Sequence, residues 1–161
     1  MAATTCQEEQ AVVNDFMTTD QRSRMMSGVR NAGTEAERAV RSVLHRMGYR
    51  FRLQAKNLPG KPDIVLPKYQ IAIFMHGCFW HQHQGCNKAK RPVTHVEFWN
   101  KKLDDNIVRD QRSYQLLIEQ GWRVLVVWEC ETRNREQLAV KLKQAIEILS
   151  QSSDQVGFVA A

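Results

Sequence analysis

Two largely apolar runs, the second broken only by Arg123, limit what this chain can fold into more than any other feature. IAIFM (71–75) and WRVLVVW (122–128) have no polar alternation, so each reads as a strand covered on both faces. Between them, residues 96–120 carry Trp99, Leu103, Ile107, Tyr114, Leu117 and Ile118 on the apolar side of a long helix, with Gly121 as its stop. Buried strands joined through a helix predict a mixed α/β domain: a central sheet with helices on its faces.

The remaining elements follow from local signals. TEAERAVRSVLHRMG places apolar residues at Ala36, Ala39, Val40, Val43, Leu44 and Met47. Thr34 and Glu37 stand at capping-box spacing, and Gly48 can end the helix. Residues 49–54 alternate like a half-buried strand, LPGKP is a turn, and Asp63 opens a second strand, IVL. Asn134 can cap a last helix over roughly 135–149, with Leu138, Leu142, Ala145, Ile146 and Leu149 inward. The expected organisation is a loose tail over 1–17, one domain over 18–150, and a C-terminal tail over 151–161. Within the domain, 18–33 form a basic arm carrying Arg22, Arg24 and Arg30.

The chain has 161 residues, 43% of them apolar and 25% charged, which suits one globular domain. No apolar run approaches the roughly 20 residues that cross a bilayer, and no secretory signal is legible at the N-terminus. A cytoplasmic protein without a membrane partner is the expectation. The net charge of +6 favours an anionic partner, most commonly nucleic acid. Of the four cysteines, Cys6 lies in the polar tail and reads as a free thiol, while Cys78 and Cys86 lie in HGCFWHQHQGC. In a reducing compartment, cysteines clustered with histidines point to zinc before disulfides.

Structural zinc takes four soft or borderline ligands in a tetrahedron. Cys78, His83 and Cys86 lie within nine residues, and Cys130 follows the second buried strand. If the two strands lie side by side, all four ligands reach one rim of the sheet. His76 and His81 are left over, and a zinc-pinned loop can aim His81 as a general base. Pro62-Asp63 ahead of a strand is the opening of many Mg²⁺-dependent nuclease sites, in which an acid holds a cation beside the phosphate. The next strand of that pattern carries an acid and a lysine; here it ends Phe74-Met75-His76. Glu37 and Asp110 are further acids, with bland readings as a capping residue and a helical ion-pair partner. Phe79 and Trp80, adjacent on a ligand-dense loop, and Trp99 are candidates to stack on bases or wedge between base steps.

LPGKPD, IFMHGCFWHQH, EFWNKK, NIVRD and GWRVLVVWEC, in this order, closely resemble the very-short-patch-repair (Vsr) DNA mismatch endonucleases, over about residues 22–130. The resemblance implies a restriction-endonuclease-like fold of the PD-(D/E)XK type. It also implies a Mg²⁺-dependent nick 5′ of the thymine in a T·G mismatch, the product of 5-methylcytosine deamination. Asp63 matches the family's metal-binding aspartate, and Met75 the residue whose backbone carbonyl joins it. His81 matches the histidine that activates water. Glu37, His76 and Asp110 match residues that hold metal-bound waters or the phosphate. Cys78, His83, Cys86 and Cys130 match the structural zinc ligands. Phe79, Trp80 and Trp99 match an aromatic wedge, and the arm around Arg22 and Met26 a segment that grips DNA from the other side.

The chain departs from the family twice. Met75 stands where threonine is common, and Gln84-Gly85 separate His83 from Cys86 where a family member has one residue, with Gly85 suited to absorb the turn. The expected partner is duplex DNA with a T·G mismatch, cut by a monomer. Functional links to a MutL-type repair protein and a cytosine-5 methyltransferase go with that expectation. The rival readings are a restriction-type endonuclease acting on matched duplex and a zinc-stapled DNA-binding module without catalysis.

Overall fold

The computed structural model describes residues 33–151 and the strand at 158–160, together with Asp20 and Arg24. The chain divides into two units, 1–30 and 31–161, and the sheet belongs to the second. Arg22 and Met26, and the expected tail over 1–17, lie outside the described residues.

Helix α1 (Glu35–Arg46) begins as its sequence dictates. Thr34 accepts from the Glu37 backbone N–H, and the Glu37 carboxylate accepts from the Thr34 N–H, a complete capping box. The sheet then builds from β1 (Arg52–Leu53), β2 (Ile64–Leu66) and β3 (Ile71–His76). Helix α2 (Val96–Glu119) crosses to β4 (Arg123–Trp128), and α3 (Arg135–Gln151) leads to β5 (Phe158–Ala160). The sheet order is β1-β2-β3-β4-β5, antiparallel across the first two pairings and parallel across the last two. The expected mixed sheet is therefore present, with helices on both faces.

Two strands differ from the sequence reading. The alternating stretch 49–54 yields only the two-residue β1, both of whose residues are exposed. Gln54 takes φ 46°, a left-handed turn that ends the pairing, and what remains is a short sheet edge. At the other edge, Phe158–Ala160, in the segment read as a tail, pairs parallel with β4.

Side-chain alternation divides the core into two layers. Ile71, Ile73, Leu125 and Val127 pack with Val40, Val43 and Leu44 of α1 and with Leu138, Leu142 and Ile146 of α3. Ala72, Phe74, Val124 and Val126 pack against Leu117, with Tyr114 and Ile118 beside it on α2. Because β3 and β4 are covered on both faces, their sequences show no polar alternation. Their parallel register pairs His76 with Trp128. Cys78 and Cys130 each follow that pair by two residues, so sheet pairing delivers both thiols to one rim.

Candidate active site and metal-binding cluster

The loop leaving β3 folds back on itself through short-range backbone bonds. His81 N–H donates to Gly77 O at 3.1 Å, His83 N–H to Cys78 O at 3.0 Å, and Cys86 N–H to His83 O at 3.2 Å. Gln82 and Gly85 take φ of 53° and 73°, and Gly85 supplies the turn expected of it. The result brings donor atoms of Cys78, His83, Cys86 and Cys130 to within 4.8 Å of one another. His83 Nδ1 lies 3.7 Å from the Cys78 sulfur and 3.3 Å from that of Cys130. With metal–sulfur and metal–nitrogen bonds of about 2.3 and 2.0 Å, the edges of a zinc tetrahedron are roughly 3.5–3.8 Å, so this spacing fits. The donor chemistry fits as well. Burial pushes the Cys78 thiol up to about 12 and raises Cys130. A cation would reverse that penalty by pairing with the thiolates.

A second cluster lies beyond the same loop. Asp63, just ahead of β2, accepts a 2.8 Å hydrogen bond from Met75 N–H on β3. Burial raises its pKa and the charge of Glu37 adds to the rise, while the Met75 N–H opposes it. Across a cleft of about 690 Å³, also lined by Met75, His76, Lys61 and Arg109, stand His81 and Asp110. His81 Nδ1 is 2.5 Å from Asp110 Oδ2. Burial alone would raise Asp110, but the hydrogen bond and charge of His81 outweigh it and hold its carboxyl below the usual range. The His81 ring stacks on His76 with centroids 3.7 Å apart. His76 is only 6% exposed, and Tyr114 Oη lies 3.0 Å from its Nε2. Burial pulls His76 down to about 3, so it stays neutral and serves as a fixed platform beneath His81.

Glu37 is not among the residues that line this cleft. It is 5% exposed, and its oxygens are taken by Arg41 at 2.9 Å, Gly33 N–H at 3.0 Å and Thr34. Its charge is felt at Asp63, whose pKa it raises.

Phe79, Trp80 and Trp99 come together. Phe79 meets Trp80 and Trp99 edge-on at 5.1 and 5.5 Å between centroids, and Trp80 lies 6.1 Å from Trp99. Phe98, which the sequence reading passed over, packs edge-on against Trp99 and is 62% exposed.

Three further residues, none of them read from the sequence as a site residue, join the site. Tyr114 holds His76, and the buried Asn106 donates to Trp80 O at 3.1 Å. Trp128 stacks on His83 at 4.2 Å and meets His76 edge-on at 5.3 Å, so one ring joins the two clusters. A signal existed for the first two. Trp99, Leu103, Asn106, Asp110, Tyr114 and Leu117 repeat at three- and four-residue steps, one face of α2. Polar residues interrupting an otherwise apolar stripe mark where that face meets a site instead of core.

A carboxylate able to hold a cation, across a cleft from an imidazole locked by a second carboxylate, meets the requirements of metal-assisted hydrolysis. The family model described as DNA mismatch endonuclease Vsr matches residues 14–88. The DNA mismatch endonuclease Vsr of Escherichia coli is 46% identical over 73% of this chain and 74% of its own length. The type II nicking enzyme V.XorIIP of Xanthomonas oryzae is 43% identical over 84% of this chain and 98% of its own. V.NmeAIP, a type II nicking enzyme of Neisseria meningitidis, is 42% identical over 76% of this chain and 87% of its own. The chain belongs to the Vsr family of DNA mismatch endonucleases.

Proposed function

We propose that this protein nicks one strand of duplex DNA 5′ of the thymine in a T·G mismatch, acting as a monomer in repair of deaminated 5-methylcytosine. The observation that carries the reading is the His81–Asp110 pair facing Asp63 across one cleft. Family membership supports DNA as the substrate.

Asp63 and the backbone carbonyl of Met75 would hold Mg²⁺, whose oxygen preference suits them and whose charge would offset that of the scissile phosphate. With Asp110 ionised, the Nδ1 proton of His81 points at it, which leaves Nε2 as the base that takes a proton from water. Asp110 also compensates the positive charge that the imidazole gains. His76, fixed by Tyr114, keeps the His81 ring in its plane. Glu37 tunes Asp63 from a distance.

Cys78, His83, Cys86 and Cys130 would hold structural Zn²⁺, a closed set with no role in the chemistry. It would stiffen the loop whose other residues do the work, His81 toward the phosphate and Phe79 and Trp80 toward the bases. Phe79, Trp80 and Trp99 would enter the duplex beside the mismatch, where a wobble pair costs less to unstack. The arm with Arg22 and Met26 would grip the DNA from elsewhere. Links to a MutL-type protein and a cytosine-5 methyltransferase belong to the same proposal.

The test is incubation with Mg²⁺ and end-labelled duplexes that differ only in carrying T·G or C·G at one position, in several flanking contexts. Strand-specific nicking of T·G alone is expected. Cutting of both duplexes would indicate a restriction-type enzyme, and binding without cutting a DNA-binding module.

A further inference from the structure

The lysine expected on the second strand of a cation-dependent nuclease site is missing, because β3 ends Phe74-Met75-His76. A lysine nevertheless lines the same cleft from another direction. We propose that Lys61, two residues ahead of Asp63, is the phosphate-binding cation of this site, delivered by the loop before β2 instead of by the strand after it. This rests on the nuclease reading above.

Three observations converge on Lys61. Among the residues lining the Asp63 cleft, the lysine and arginine side chains are those of Lys61 and Arg109. Arg109 is already shared with Asp110, at 3.6 Å, whereas the Lys61 side chain has no partner among the described residues. Its ammonium is therefore available to an anion entering the cleft.

The backbone of Lys61 is the second observation. Its φ is 53°, in the left-handed region, and Pro62 follows it. Glycine or asparagine adopts that conformation at less cost, and a following proline narrows the choice further. A long cationic side chain held in strained backbone at the lip of a reactive cleft points to a task for that side chain.

The third observation is that this lip is fixed. A Cβ built on Gly60 would stand 2.7 Å from Ser113 Cβ and 3.1 Å from the Phe74 ring, so the turn lies directly against α2 and β3. Leu58 packs into the cluster around Phe74 and Leu117, and Lys61 N–H donates to Leu58 O at 3.1 Å. The exposed side chain of Lys61 therefore hangs from an anchored turn at the edge of the cleft.

The chemistry is charge compensation without proton transfer. A phosphodiester carries one negative charge, and its five-coordinate transition state carries two. An ammonium reaching the phosphate from this lip therefore binds the transition state more tightly than the ground state, and its loss reduces the rate more than the affinity. Lysine acts as a point charge, so arginine should restore part of the effect.

The experiment compares wild type with Lys61→Ala, Lys61→Gly and Lys61→Arg in single-turnover nicking, in DNA binding against salt, and in melting temperature. Lys61→Ala and Lys61→Gly should slow nicking on the order of a hundredfold with affinity changed only a few-fold. Each should lower the log–log salt slope of binding by about 0.9. Lys61→Arg should recover both. Lys61→Gly should melt no lower than wild type, which separates lost chemistry from lost structure. Nicking by the alanine and glycine variants within about threefold of wild type would overturn the proposal, as would an arginine variant as slow as alanine. Wild type that binds DNA and cuts no duplex would defeat the nuclease reading instead, and the salt slope alone would then decide whether Lys61 meets a phosphate.

Discussion

Asp110 Oδ2 lies 2.5 Å from His81 Nδ1, across 29 residues of sequence, and this pairing fixes which imidazole nitrogen faces the cleft. Replacing Asp110 with asparagine keeps the shape but lets the ring adopt the wrong tautomer. Asp110→Asn should lower the nicking rate by about a hundredfold or more, with mismatch affinity nearly unchanged. Single-turnover rates beside a binding isotherm measure both. Because the Asp110 carboxyl titrates below the usual range, its stabilising contribution is complete above the ordinary aspartate value and is lost only as pH falls through the lower folded value.

Asp63 titrates in the opposite sense. Its folded pKa is raised by burial and by Glu37, so the ionised carboxylate costs the fold stability at neutral pH. That cost is complete above the raised folded value and disappears as pH drops below the ordinary one. Asp63→Asn should therefore abolish nicking while melting at or above wild type at pH 7 without added divalent cation. The difference in melting temperature should shrink toward acid pH. Melting curves of the two proteins against pH test this.

Cys130 is the one proposed zinc ligand outside the loop, and it ties 76–86 to the end of β4. Cys130→Ala should reduce bound zinc below one ion per chain and lower the melting temperature. A metal held a thousandfold above its dissociation constant contributes about 4 kcal/mol. Nicking should fall with the loss of loop order although no ligand touches substrate. Metal content and calorimetry on the same preparation provide the check.

The aromatic group predicts a graded series. Trp99 contacts Phe79, Trp80 and Phe98, so Trp99→Ala removes a stacking surface and the support of three others. A loss of about 1–3 kcal/mol in mismatch affinity is expected, with a smaller loss for the exposed Phe98→Ala. Competition between T·G and matched duplexes reads both variants.

The strands that carry this site and the Cys/His cluster are legible in the sequence. The buried runs at 71–75 and 122–128 declared β3 and β4, and ligand spacing grouped Cys78, His83, Cys86 and Cys130, which the fold brings within 4.8 Å. The capping box at Thr34 and Glu37 was equally plain, because its residues are neighbours in sequence. Tyr114 and Asn106 showed only as members of the α2 stripe and Trp128 only as a strand residue, since their contacts with His76, Trp80 and His83 exist only once α2 and β4 pack on the sheet. Residues 49–54 misled because alternation reports half-burial, while pairing length was decided by the turn at Gln54. The Phe158–Ala160 strand had no periodic signal to offer in three residues.

The central claim is that His81 takes the proton from the attacking water. The direct measurement is the single-turnover nicking rate of His81→Ala against wild type on a T·G duplex at saturating enzyme and Mg²⁺, with affinity measured alongside. A fall of roughly a hundred- to ten-thousandfold with affinity nearly unchanged is the predicted result. A rate within a few-fold of wild type would contradict the assignment and move the base to another group on the cleft.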